Sequence, residues 1–204
     1  MSTPASAPIR LWLAPWPDAT RGWHWLRATL ADALGCAADD LHIVRDVRGK
    51  PQLSATQAHW HFSLSHSGAL ALLALADLPV GVDLEAPRPQ LRALALAARY
   101  FAADESAALQ QLSHGRQALA FRQLWTAKEA VLKADGSGLA YGLERVAFAW
   151  QDGRWQPASF SGPIGHAAEW TAQPLQLPLP LVGCIAYRSP ARDLLWTTDP
   201  AALV

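Results

Sequence analysis

Charge is scarce in this chain. Charged residues are 17% of its 204 positions, and 17 Lys+Arg balance 17 Asp+Glu to a formal net charge of zero. That balance excludes the long-range attraction that carries a basic protein to nucleic acid or to an anionic membrane, so any anionic partner has to meet a local basic patch. Long apolar runs are missing too, and none reaches the roughly 18 residues that a membrane span needs. Met1 to Arg10 has no basic start followed by an apolar stretch, which argues against a secretory leader. Cysteine occurs only at Cys36 and Cys184. In a chain that is not secreted, both are expected to be reduced and buried, not paired. No low-complexity tract or flexible linker interrupts the sequence. These absences point to a soluble cytoplasmic protein forming one compact unit, with neither nucleic acid nor membrane as a partner. Apolar residues are plentiful: 51% of the chain is hydrophobic and ten residues are tryptophan. With no regular aromatic spacing, the tryptophans read as core packing and not as a stacking platform.

The patterning predicts strands mixed with helices. Residues 10–16 (RLWLAPW) read as a short strand. Residues 18–35 read as a helix capped by Asp18, ended by Gly35, with Trp23, Leu26, Leu30 and Leu34 on one side. A turn region from Arg45 to Pro51 follows. In HWHFSLSH (59–66), Trp60, Phe62 and Leu64 share one face and His59, His61, Ser63 and Ser65 the other, which predicts a half-buried strand. Ser67-Gly68 then turns into the apolar run 69–76, a hairpin. VGVDLE (80–85) is a strand with Asp83 and Glu85 on one face, because they are two apart. Helices are predicted over 90–103, over 104–113 with Asp104 as cap, and over 116–134 with Gly136 and Gly138 past the end. The last third reads as strands at 146–150, 169–177 and 181–188, and the tail from Asp193 has no clear pattern. The apolar strands 69–76 and 181–187 stand at comparable points of the two halves, which hints at an α+β duplication.

The predicted helix over 116–134 carries Trp125, Glu129 and Lys133 in one line, four residues apart. With Asp83 and Glu85 there are three carboxylates and an ammonium. Spacing alone leaves two readings open. One is a surface Glu129–Lys133 pair of about 0.3–0.5 kcal/mol beside an exposed turn. The other is an oxygen-ligand site for a hard divalent cation next to a lysine, which suits chemistry at a phosphate. His66 with His59 and His61 offers a rival metal site.

GVDLE (81–85) followed by WTAKEAVLK (125–133) resembles the signature pair of the 4′-phosphopantetheinyl transferases. RGKP (48–51), FSLSHSG (62–68) and RYFAADE (99–105) resemble three further segments of that family, in its order, so about half the chain carries the likeness. The layout is similar to the monomeric surfactin type. This resemblance implies an α+β fold, a pseudo-dimer of two similar α/β halves, each a small antiparallel sheet packed with helices. Residues 1–78 would form the half that contacts the nucleotide of coenzyme A, and 79–204 the half with the metal-binding and catalytic motifs. The implied reaction moves the 4′-phosphopantetheine arm of coenzyme A onto a serine of an apo acyl or peptidyl carrier protein, and releases adenosine 3′,5′-bisphosphate. It serves carrier modification of the kind found in secondary metabolite biosynthesis.

By the same resemblance, Asp83, Glu85 and Glu129 would hold Mg²⁺, or Mn²⁺ in its stead. Glu129 would orient or deprotonate the serine, directly or through water, and Lys133 would neutralise charge on the phosphates. Lys50, Ser65 and His66 match positions that bind the nucleotide end of coenzyme A, and Arg27 aligns more loosely with another phosphate contact. Leu84, between the two acids, cannot be a ligand. No lysine precedes Arg27, a departure that weakens the expected grip on phosphate. The stretch 86–103, with Arg88, Arg92 and Arg99 among alanines and leucines, is the expected dock for an acidic carrier helix; the alternative is that its apolar residues are core.

Overall fold

The structure, a computed structural model, describes residues 7–54, 57–88, 90 and 92–203. The first residues of the chain and Pro89 of the loop after Glu85 therefore lie outside the described residues. Among the described residues, eleven strands and four α-helices follow in order. They are β1 (Ile9–Pro15), α1 (Ala19–Leu34), β2 (Ile43–Arg45), β3 (Pro51–Leu53), β4 (His61–Ser67), β5 (Leu70–Ala76) and β6 (Val80–Glu85), then α2 (Ala93–Tyr100), α3 (Ala103–Gln111) and α4 (His114–Asp135). The chain closes with β7 (Val146–Gln151), β8 (Arg154–Phe160), β9 (Thr171–Pro174), β10 (Val182–Tyr187) and β11 (Leu194–Trp196).

The apolar run of β5 reads without alternation because both of its faces are buried. Leu72, Ala74 and Ala76 join one apolar cluster with Leu11 and Leu13 of β1, while Leu73 and Leu75 join another with Trp12, Leu26 and Leu30 under α1. Helix α1 begins where Asp18 accepts the Arg21 N–H at 2.9 Å and ends at Gly35 in the left-handed region.

Two antiparallel sets repeat one plan. Strands β1, β5 and β4 are neighbours in that order in the first sheet, and β6, β10 and β9 in the second. Each set comes from a strand, helical structure, a two-stranded hairpin (β2–β3, β7–β8) and two more strands. The duplication hinted at by residues 69–76 and 181–187 is thus present as β5 and β10, and the α+β class holds. The tail adds a feature without a counterpart: β11 pairs parallel with the outer edge of β1, so residues 194–196 return to the first sheet. Val80, Val82 and Leu84 face the cluster shared with β1 and β5, and α4 covers the other face of β6 and β10. Helix, sheet, sheet and helix are therefore stacked, with Asp83 and Glu85 pointing away from the inter-sheet core.

Several boundaries differ from the sequence reading. The turn Arg45–Pro51 is the tip of the β2–β3 hairpin, closed by Asp46 accepting the N–H of Arg48 and of Lys50. Strand β8 escapes prediction because Pro157 falls inside it, at a hairpin whose register shifts between Ala147 and Phe148. The expected strand 169–177 shrinks to Thr171–Pro174. Asp104 is not the cap of α3; that position is Ala102, whose N–H is taken by Glu105 at 2.8 Å. The serine face of β4 is not a wet face, since Ser63, Ser65 and Ser67 are all buried. Cys184 is buried and Cys36 half-buried, and both are free thiols. Among the described residues no helix is long and apolar enough to cross a membrane.

Candidate active site

Asp83 and Lys133 come together from β6 and α4. Lys133 Nζ donates to Asp83 Oδ1 at 2.7 Å and to Ser65 Oγ at 3.1 Å. Ser65 donates to the same Oδ1 at 2.8 Å. Asp83 is only 5% exposed, and its other oxygen, Oδ2, is buried without a hydrogen-bond partner. A buried polar atom left alone costs about 1–3 kcal/mol, so it needs an explanation. Glu129 stands one helical turn before Lys133. Burial first, then the charge of Asp83 and, less, of Glu85 push its carboxyl up to about 7, partly offset by Lys133. Burial also raises Glu85, against the pull of Arg88, whose guanidinium lies 3.1 Å from Glu85 Oε2.

Among the described residues no three His, Cys, Asp or Glu side chains stand close enough together to hold a metal ion as they are. The rival histidine site is therefore absent; His66 is exposed and stacks flat on Trp16, with ring centroids 5.2 Å apart, while His59 tilts against Trp60. The donor chemistry of the acidic group nonetheless fits a hard divalent cation. Its candidate donors are all oxygen, Asp83 Oδ2 has no partner, and burial, with the neighbouring charge of Asp83 added, raises Glu129.

The hairpin tip Arg48–Pro51 meets the end of α4. Arg48 donates to Gly136 O at 3.0 Å, and Lys50 Nζ hydrogen-bonds Lys133 O. Cations on the last carbonyls of a helix complement its dipole. Arg48, Lys50 and Lys133 also line one cleft of about 270 Å³ between the halves, floored by Phe62, Leu64 and Leu132. Arg27 does not join them: it lies on α1, donates to Ala38 O at 2.8 Å and is not among the cleft's lining residues. On the other side, Trp125 packs against Phe101 and Phe121 and helps line a cavity of about 120 Å³ with Glu85, Arg88, Leu96 and Arg122. Ala93 and Ala97 are core, so part of 86–103 is simply packing.

Glu105 and Lys128 lie in the segments RYFAADE and WTAKEAVLK, but sequence reasoning gave neither a role. They form an ion pair of 2.7 Å, at 1% and 0% exposure. Lys128 also donates to the carbonyls of Leu143 and Val146, and Glu105 accepts from the N–H of Phe148 and Ala102. The pair ties α3, α4 and β7 together next to Glu129. The available signal was a lysine on the apolar stripe of α4, four residues after Leu124.

A model of the 4′-phosphopantetheinyl transferase superfamily matches residues 79–180, half of the chain. The chain belongs to that superfamily. A Synechocystis sp. relative, slr0495, is 37% identical over 155 residues, covering 74% of this chain and 61% of its own length. The 4′-phosphopantetheinyl transferase psf-1 of Bacillus pumilus is 43% identical over 95 residues, 47% of this chain and 40% of its own. The 4′-phosphopantetheinyl transferase HetI of a Nostoc strain is 37% identical over 133 residues, 64% of this chain and 56% of its own. The chain thus spans between 40% and 61% of the length of these relatives. The superfamily match takes in Asp83, Glu85, Glu129 and Lys133, and leaves Arg27, Lys50, Ser65 and His66 before its start.

Proposed function

We propose that this chain is a 4′-phosphopantetheinyl transferase. It moves the phosphopantetheine arm of coenzyme A to a serine hydroxyl of an apo acyl or peptidyl carrier protein. The observation that carries the reading is the buried Asp83 carboxylate, paired through Oδ1 with Lys133 and left open at Oδ2 beside a Glu129 held near neutrality. An ordinary surface Glu–Lys pair has neither feature.

Asp83, Glu85 and Glu129 are the residues that would hold Mg²⁺, or Mn²⁺ in its stead. When bound, the ion would neutralise charge on the diphosphate and draw the three acids together. The chain's own groups do the rest. Lys133 stabilises charge as it grows on the phosphates. Glu129, with a proton affinity close to neutral pH, takes the serine proton directly or through water. The serine oxygen bonds to the phosphorus that carries pantetheine, the bridging P–O bond breaks, and adenosine 3′,5′-bisphosphate leaves with that oxygen. Lys50, with Arg48 beside it, supplies the local cations for the nucleotide phosphates in a protein of zero net charge. His66 and Arg27 keep the secondary roles that the family likeness gives them. Arg88, Arg92 and Arg99 are the proposed basic rim for an acidic carrier, and the enzyme acts as a cytoplasmic monomer.

The test is to incubate the protein with coenzyme A, Mg²⁺ and apo carriers, and to weigh the carrier. A gain of one phosphopantetheine supports transfer. Coenzyme A binding without any gain supports a non-catalytic binding module on the same fold. Loss of the arm from a holo carrier supports a phosphodiesterase.

A further inference from the structure

Three serines of β4 stand on one face and meet the free edge of β6. Ser63 Oγ accepts the N–H of Val82 at 3.0 Å, Ser65 Oγ that of Leu84 at 3.3 Å, and Ser67 Oγ that of Ala86 at 3.0 Å. A strand edge of this kind normally needs a backbone partner. Here hydroxyls replace it, each 19 residues before the amide it serves. The same hydroxyls donate onward, 18 residues ahead: Ser65 to Asp83 Oδ1 at 2.8 Å, and Ser67, more loosely, to Glu85 Oε2 at 3.5 Å. The residue 18 ahead of Ser63 is Gly81, which has no side chain.

We infer that Ser65 and Ser67 are positioning residues that orient the two acids of β6 for their cation. The inference rests on the metal reading proposed above. A hydroxyl has one proton and two acceptor sites. Ser65 uses all three: it donates to Asp83 and accepts from Leu84 N–H and Lys133 Nζ. Holding Oδ1 by Ser65 and Lys133 also leaves Oδ2 as the open ligand atom. Groups that orient metal ligands in this manner change metal affinity by about 10–100-fold when removed.

Ser63 provides an internal control, because it caps the same edge but faces no acid. Mn²⁺ binding is followed by electron paramagnetic resonance on the full chain with saturating coenzyme A and no carrier, subtracting a coenzyme A blank. Ser65→Ala is expected to weaken Mn²⁺ binding about tenfold or more, Ser67→Ala by less, and Ser63→Ala to lower the melting temperature while leaving affinity at the wild-type value. If Ser65→Ala does not fold, Ser67→Ala against Ser63→Ala carries the comparison. Wild-type affinity in the Ser65 and Ser67 variants, or an equal loss in Ser63→Ala, overturns the positioning role alone. A wild-type protein that binds no Mn²⁺ overturns the metal reading and the inference with it.

Discussion

A Cβ on Gly81 would stand 2.0 Å from the carbonyl oxygen of Ala130 and 2.5 Å from the amide nitrogen of Ala134. Helix α4 therefore rests backbone to backbone on strand β6 at that point. Ala130 follows Glu129, and Ala134 follows Lys133. The contact sets the separation at which Asp83, two residues along β6, meets Lys133. Backbone cannot yield as a side-chain tip can, so Gly81→Ala has to lift the helix. Overpacking of this kind costs about 1–3 kcal/mol, and backbone contact puts it at the upper end. The variant should melt well below wild type in a thermal scan and lose most transfer activity even where it is still folded.

The carboxyl of Glu129 sets a pH dependence. Its value of about 7 in the fold lies above its ordinary 4.5. An acid raised in this way takes up a proton on folding between those limits. Its contribution to metal-free stability is thus fullest below about pH 4.5 and declines as pH rises through about 7. A cation has to displace that proton, so Mg²⁺ binding strengthens over the same range. Thermal scans at about pH 6 and about pH 8 should give a larger Mg²⁺-induced rise at the higher pH, and Glu129→Gln should flatten the difference.

The Glu105–Lys128 pair gives a test of stability, because both side chains are buried. Burial pushes Lys128 down to about 8 and raises Glu105, the direction expected of charges moved out of water. Removing one partner strands the other, and Lys128→Met or Glu105→Ala should each cost about 3–5 kcal/mol in urea unfolding. The double variant Glu105→Leu with Lys128→Met should recover part of that loss but not all. It leaves the N–H of Phe148 and Ala102 and the carbonyls of Leu143 and Val146 without their partners.

Periodicity located most elements because most are amphipathic over one turn or one pleat. Helix α1 was readable from Asp18, the Leu26–Leu30 stripe and Gly35, and β6 matched its predicted bounds. What stayed hidden depended on partners distant in sequence. The serine face of β4 looks solvated in sequence, and only its meeting with β6 shows why it is buried. Residues 194–196 are a strand only because β1 offers an edge. The acids and lysine of the site were legible as a motif. The open oxygen of Asp83 and the lysine buried against Glu105 were not, since burial is a tertiary property.

The two cationic roles separate in kinetics. Lys133 touches Asp83, and in the role proposed for it acts on charge developing at the phosphates, so Lys133→Ala should lower kcat more than it weakens coenzyme A binding. Lys50 and Arg48 line the inter-half cleft and are the cations proposed for the nucleotide end. A hydrogen bond to a charged group contributes about 1.5–3 kcal/mol, so dephospho-coenzyme A should lose roughly tenfold to a hundredfold in kcat/KM. Acyl-coenzyme A, altered only at the distant thiol, should be used nearly as well as coenzyme A. A comparison of the three donors on one apo carrier checks this.

The most direct measurement is the mass of an apo carrier after incubation with coenzyme A, in Mg²⁺ and in excess chelator, with wild type and Asp83→Ala side by side. The account predicts a gain of one phosphopantetheine with wild type in Mg²⁺, and none in chelator or with the variant. A full gain in chelator, or an undiminished gain with Asp83→Ala, would contradict it.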